Sequence, residues 1–87
     1  MTKAKNPFMA TKKEKVEGTD YTFQKVAPRA WAKLMDEWSR GGEKVEKLMD
    51  LTFEHIVVEP KVSLDDFEDW AEADEVAKAA MRFQRGK

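Results

Sequence analysis

Between Glu43 and Pro60 the chain reads EKVEKLMDLTFEHIVVEP, and Val45, Leu48, Met49, Thr52, Phe53, Ile56 and Val57 recur at i, i+3, i+4, i+7, i+8, i+11 and i+12. That spacing lines one face of a 3.6-residue helix and predicts a central helix across the stretch. Gly41-Gly42 punctuates its start. At the other end the β-branched run Ile56-Val57-Val58 leads into Glu59-Pro60, where the proline pushes the residue before it out of helical geometry. Leu51 and Val58 lie off the main stripe. The predicted helix is therefore apolar around more than half its circumference, which requires neighbours on two sides.

Upstream, Ala27, Trp31, Leu34, Met35 and Trp38 repeat at helical spacing from Pro28, a residue suited to a first turn, to Ser39-Arg40-Gly41-Gly42. A turn this short makes the first helix and the central helix antiparallel neighbours. Downstream, Ser63 can cap a helix whose start is rich in carboxylates, with Phe67, Trp70 and Ala71 on one side. A break near Glu72-Ala73 is expected before Val76, Ala77, Ala80, Met81 and Phe83 continue the apolar face. Lys78, Arg82, Arg85 and Lys87 crowd its end, where cations complement the helix dipole.

Asp20 to Val26 alternates β-favouring residues, but no second strand in the sequence pairs with it convincingly. It reads as a short extended lead-in that lays Tyr21 and Phe23 against the helices. Residues 1–18 carry five lysines and few large apolar side chains, which predicts a flexible basic N-terminal arm. The expected fold is all-α: a small helical bundle of three to four helices, with residues 19–87 as a single helical domain.

Composition narrows the function. Eighty-seven residues make one domain at most. With no cysteine and one histidine, neither a disulfide framework nor a Cys- or paired-His metal site is available. No apolar run approaches the roughly 20 residues of a membrane span, so a soluble, cytoplasmic protein with no membrane partner is expected. The net charge of −1 hides an uneven split: residues 1–42 carry nine Lys/Arg against five Asp/Glu, and residues 43–87 carry seven against twelve. Such asymmetry steers partners or favours head-to-tail self-association.

No constellation of residues supports catalysis. The cluster Asp65, Asp66, Glu68, Asp69, Glu72, Asp74 and Glu75 lacks the glycine of a calcium loop and reads as the polar, dipole-matched start of a helix. His55 has no second histidine or cysteine to work with. No enzyme, metal or cofactor is expected. Three Trp and five Met form a large aromatic and thioether set for so small a chain, compatible with a core and with an adaptable helix-binding surface. The candidate partner-binding residues are Leu51, His55 and Val58 on the second face of the central helix, with Trp38, Trp70 and Met81. An alternative is a small nucleic-acid-binding regulator that uses the basic arm with Lys25, Arg29, Lys33 and Arg40, although the chain matches no recognisable binding module.

The succession YTFQKVAPRAWAKLMDEW, a Gly-punctuated turn, LMDLTFEHIVVEPKVSLDDF and EVAKAAMRFQRGK resembles the small tail assembly chaperones of long-tailed bacteriophages and related prophages. The similar segments are Gln24 to Trp38, Glu54 to Pro60, Asp66-Phe67 and Ala80 to Phe83. The resemblance implies a helical, non-enzymatic protein of the host cell cytoplasm. It further implies binding to the tape measure protein, with the tail tube protein as a further candidate partner, and absence from the finished virion.

Overall fold

The computed structural model of the chain describes residues 11–86. Its elements run β1 (Thr11–Val16), β2 (Thr19–Gln24), α1 (Pro28–Arg40), α2 (Val45–His55), β3 (Val57–Glu59), a 3-10 turn (Leu64–Asp66) and α3 (Trp70–Arg85). Among the described residues the strands form one antiparallel sheet in the order β1-β2-β3. The fold is α+β, which corrects the expected all-α bundle. No helix among the described residues is long and apolar enough to cross a membrane.

The sheet arises from two features of the sequence that helical periodicity hides. Glu17 and Gly18 both have positive φ, 52° and 83°, the pairing that a type I′ turn needs to match the twist of a hairpin. The turn brings Thr11–Val16 back along β2 in a six-pair register from Thr11↔Gln24 to Val16↔Thr19. Residues 11–18 are thus a strand and its turn, not the end of a flexible arm; residues 1–10 of that arm lie outside the described residues. Of β1 only Val16 is buried, so this strand exists because β2 offers it a ladder.

The second feature is the Ile56-Val57-Val58 run. The predicted central helix ends at His55, and the chain turns extended to pair Phe23 with Val57 and Thr22 with Glu59. β-branched side chains are stiff and fit a pleated surface better than a helix. The Gln24 backbone N–H donates to the Ile56 carbonyl at 2.8 Å, and its side-chain Nε2 donates to the His55 carbonyl at 3.1 Å. These bonds satisfy carbonyls that the helix end would otherwise leave without partners.

Past Pro60 the expected helix from Leu64 is a single 3-10 turn. Asp66 accepts the Ser63 backbone N–H at 2.8 Å through Oδ2 and returns its own N–H to the Ser63 carbonyl at 3.0 Å. α3 begins only at Trp70, where Asp69 caps it by accepting the Glu72 N–H at 3.1 Å. The break therefore precedes Trp70 rather than falling at Glu72-Ala73. α3 closes on Gly86, whose φ of 83° is the left-handed conformation that glycine adopts without strain.

Tyr21 and Phe23 point from β2 into the core, while Asp20 and Gln24 on the alternate positions are exposed. Phe23, Phe53, Ile56, Val57 and Val76 are fully buried there with Thr52. Phe23 lies 6.4 Å from Tyr21 and 6.5 Å from Phe83 between ring centroids, and Phe53 stacks on Phe67 at 5.4 Å. α3 presents Ala73, Ala77, Ala79 and Ala80 as buried residues and contacts β1, β2 and α2. Small side chains there let its backbone approach the aromatic layer closely.

α1 is held more loosely: none of its residues is buried, and Trp31, Leu34, Met35 and Trp38 are half-buried. Its approach is pinned by Gln84, which accepts the Val26 N–H at 2.7 Å and donates to the Val26 carbonyl at 2.8 Å. At the turn into α2, the Trp38 indole donates to the Lys44 carbonyl at 2.8 Å and Glu37 pairs with Lys47 at 3.0 Å.

Removing the Phe53 ring, which is 1% exposed, leaves a cavity that the surrounding aromatic layer cannot close. Phe53→Ala is expected to cost about 3 to 5 kcal/mol, measured by urea denaturation. Burial of the Tyr21 phenol, reinforced by the nearby Glu72 carboxylate, raises its pKa above the ordinary 10.0. The folded state thus favours the neutral phenol, so its contribution to stability is present below the unfolded pKa and is lost as pH rises through the higher folded value. Denaturation midpoints are expected to fall above about pH 10, and Tyr21→Phe to flatten that alkaline decline.

Candidate functional site

α3 carries a second stripe beside its alanine face. Trp70, Asp74, Ala77, Lys78, Met81, Arg82 and Arg85 repeat at helical spacing along its whole length, and together they form one wall of an open groove. The facing wall is α2, through Val45, Leu48, Met49 and Thr52, and the space between measures about 330 Å³. Met49, Thr52 and Ala77 are buried at the floor. Val45 and Trp70 are 59% and 55% exposed, and with Val58 they are the most exposed large apolar residues among those described.

The floor is apolar in chemistry as well as in composition. The Thr52 hydroxyl donates to the Leu48 carbonyl of its own helix at 2.9 Å, with Met81 Sδ 3.6 Å away, so no unpaired donor faces the groove from this position. Met49 and Met81 supply flexible, polarizable side chains that adapt to irregular apolar partners. The rim carries Lys78, Arg82 and Arg85 against the single carboxylate of Asp74. Asp74 is already bridged to Lys78 at 3.1 Å, and Arg82 lies 3.9 Å from Glu14 on β1.

A second concavity lies across α2, lined by Lys47, Asp50, Leu51, Phe53, Glu54, Lys61, Val62 and Ser63. Lys61 reaches over it, donating to the carbonyls of Glu54 and Val57. Its walls mix charge with apolar surface, and none of the most exposed apolar residues borders it.

The structure disperses the six candidate residues. Trp70 and Met81 share the α2–α3 groove. Leu51, expected on a partner-facing side, is only 5% exposed, because the segment after Pro60 folds back along that side of α2 and encloses it. His55 is half-buried at the end of α2, its Nε2 3.8 Å from Glu54 Oε1. Val58 sits on β3, 40% exposed and outside the groove lining. Trp38 is engaged through its indole N–H in the turn between α1 and α2.

Val45 and Leu48, expected on the main apolar stripe of the central helix, and Lys78, Arg82 and Arg85, expected only to complement a helix dipole, all line the groove. The available signal was the second stripe of α3, masked because its members are mostly polar. The acidic cluster resolves into separate structural duties: Asp66 holds the 3-10 turn, Asp69 caps α3 and Asp74 pairs with Lys78. Among the described residues no group of three or more His, Cys, Asp or Glu is placed to hold a metal ion. Several cations expected to serve nucleic acid have local partners: Lys12 meets Glu14 and Lys15 meets Asp20, each at 3.4 Å, while Lys25 lies 5.3 Å from the centre of the Phe83 ring.

No protein-family model matches the chain, and no curated protein or solved structure matches it.

Leu51 and Trp70 should therefore respond oppositely to substitution. Leu51→Asp buries a carboxylate and is expected to cost about 3 kcal/mol or more. Trp70→Ala, at the exposed rim, should cost less than about 1 kcal/mol. Thermal melts followed by circular dichroism compare the two directly.

Proposed function

We propose that the chain is a non-enzymatic tail assembly chaperone that binds the tape measure protein in the host cell cytoplasm and assists tail tube assembly, leaving before the virion is complete. The observation that carries this reading is the open α2–α3 groove, which leaves Val45 and Trp70 exposed beside a buried apolar floor. Exposed apolar surface gathered in one concave place is a mark of binding rather than of unfinished folding.

The segments that resemble the tail assembly chaperones add support from the sequence. They fall on the end of β2 and most of α1, on the α2–β3 corner, on the end of the 3-10 turn and on the later part of α3. Apart from α1, which has no buried residue, these are places where the chain changes direction or closes its core. A long helical protein that awaits its tube must keep its apolar faces covered and then give them up. A groove between two helices, lined partly by methionine, fits that demand because it supplies a moderate apolar contact without a deep enclosing pocket. The fold in which this happens is α+β, so the helical architecture implied by the resemblance is not part of the proposal.

Mixing the purified chain with the tape measure protein encoded beside it should yield a complex on size-exclusion chromatography at micromolar concentrations. Failure to form one, with both proteins folded, would sink the reading. DNA binding that weakens steeply with salt would instead favour the regulator alternative.

A further inference from the structure

We infer that the α2–α3 groove is the docking site itself, and that its occupant is an amphipathic α-helix of the partner with an apolar face flanked by carboxylates. This deepens the proposed function for the identity of the partner, while the chemistry of the occupant follows from the groove alone.

The shape selects a helix. Both walls are helices whose backbone groups are already paired along their length, so an incoming strand would find no ladder to join, whereas a third helix can lay its side chains between them. The lining residues of α3 extend from Trp70 to Arg85, a length of about 22 Å at 1.5 Å per residue, or about four helical turns. Val45, Leu48, Met49 and Thr52 on the other wall stand at i, i+3, i+4 and i+7, the matching ridge for such a partner.

The charge selects its flanks. Three cations and one carboxylate line the groove, in a chain whose overall charge is −1, and the carboxylate is already satisfied by Lys78. Arg82 and Arg85 lie one helical turn apart on the same rim as Lys78. A helix with glutamates or aspartates beside its apolar stripe would meet Arg85 directly and share Lys78 and Arg82 with Asp74 and Glu14, which lie 3.1 and 3.9 Å from them, and one with lysines there would be repelled.

A second copy of this chain is a poorer fit. Its most amphipathic helix, α1, carries Arg29, Lys33 and Arg40 against Asp36 and Glu37, so it would bring net positive charge to a positive rim. The most acidic stretch, from Asp65 to Glu75, is already folded into the 3-10 turn and the start of α3, with Phe67 stacked on Phe53.

The test uses two synthetic 18-residue peptides with the same leucine stripe at helical spacing, one flanked by glutamate and one by lysine, titrated calorimetrically into the whole chain. The glutamate peptide should bind at least about tenfold more tightly than the lysine peptide at low salt, and R82Q/R85Q should remove about tenfold of that affinity. Val45→Glu, at an exposed first-turn position where a carboxylate suits the helix dipole, should preserve the melting temperature and abolish binding. Equal affinity for the two peptides, or undiminished binding by a folded V45E chain, overturns the proposal. So does concentration-dependent dimerisation that V45E abolishes without any peptide binding, because a second copy would then fill the groove. In parallel, the tape measure protein is offered to the wild-type chain and to V45E. Capture by the wild-type chain alone supports the groove as the site, and capture by both overturns the site while leaving the chaperone reading intact. Capture by neither, with the glutamate peptide still bound selectively, retires the chaperone reading and keeps the groove.

Discussion

Phe23 has to be covered on all sides at once, and the fold can be understood as the way this chain does it. Its strand pairs with β1 on one edge and β3 on the other, so β2 is central in the sheet. Its ring meets Tyr21 along the strand and Phe83 from α3, and its backbone neighbours Val57 across the ladder. These contacts come from distant parts of the sequence. Losing any one element would expose part of an aromatic layer that a domain this small cannot replace from elsewhere.

That arrangement fixes what each helix can do. α3 uses its alanine face to approach the core, and this closeness turns the adjacent stripe from Trp70 to Arg85 outward along α2. α2 is buried through Met49, Leu51, Thr52 and Phe53, yet its first turn runs beyond the core and leaves Val45 at the rim. The groove therefore follows from helices that are longer than the core they cover. Its apolar floor belongs to the fold, and its charged rim to the outward stripe of α3. One surface thus combines a buried apolar floor with a charged rim.

The helical parts of the fold were legible because their signal is local. The stripe from Trp31 to Trp38, the body of α2 and the apolar face of α3 all follow from side-chain spacing, and the structure keeps them as helices. The hairpin was not legible in the same way. β1 is almost wholly charged or polar, so it lacks the alternation that marks a half-buried strand, and its turn is a Glu-Gly pair rather than the more familiar Asn-Gly. Ile56 and Val57 were expected in the core and lie there, although they reach it from the corner between α2 and β3 rather than as the last turn of a helix. Of the candidate residues, Trp70 and Met81 line the α2–α3 groove, while Leu51 is enclosed, and nothing in the α2 pattern tells which element will fold over its second side.

By itself, then, the sequence determined the bodies of the three helices though not all their limits, which aromatic residues are available for a core and where proline and glycine must interrupt the chain, since each depends on near neighbours. Only the tertiary structure decided that Thr11–Val16 is a strand, that Leu51 is enclosed and that Lys78, Arg82 and Arg85 border an apolar groove. Strand pairing and burial depend on what other segments bring to the same place. A lysine-rich strand is held by the ladder of its neighbour, and a leucine is inside or outside according to whether the chain returns to cover it.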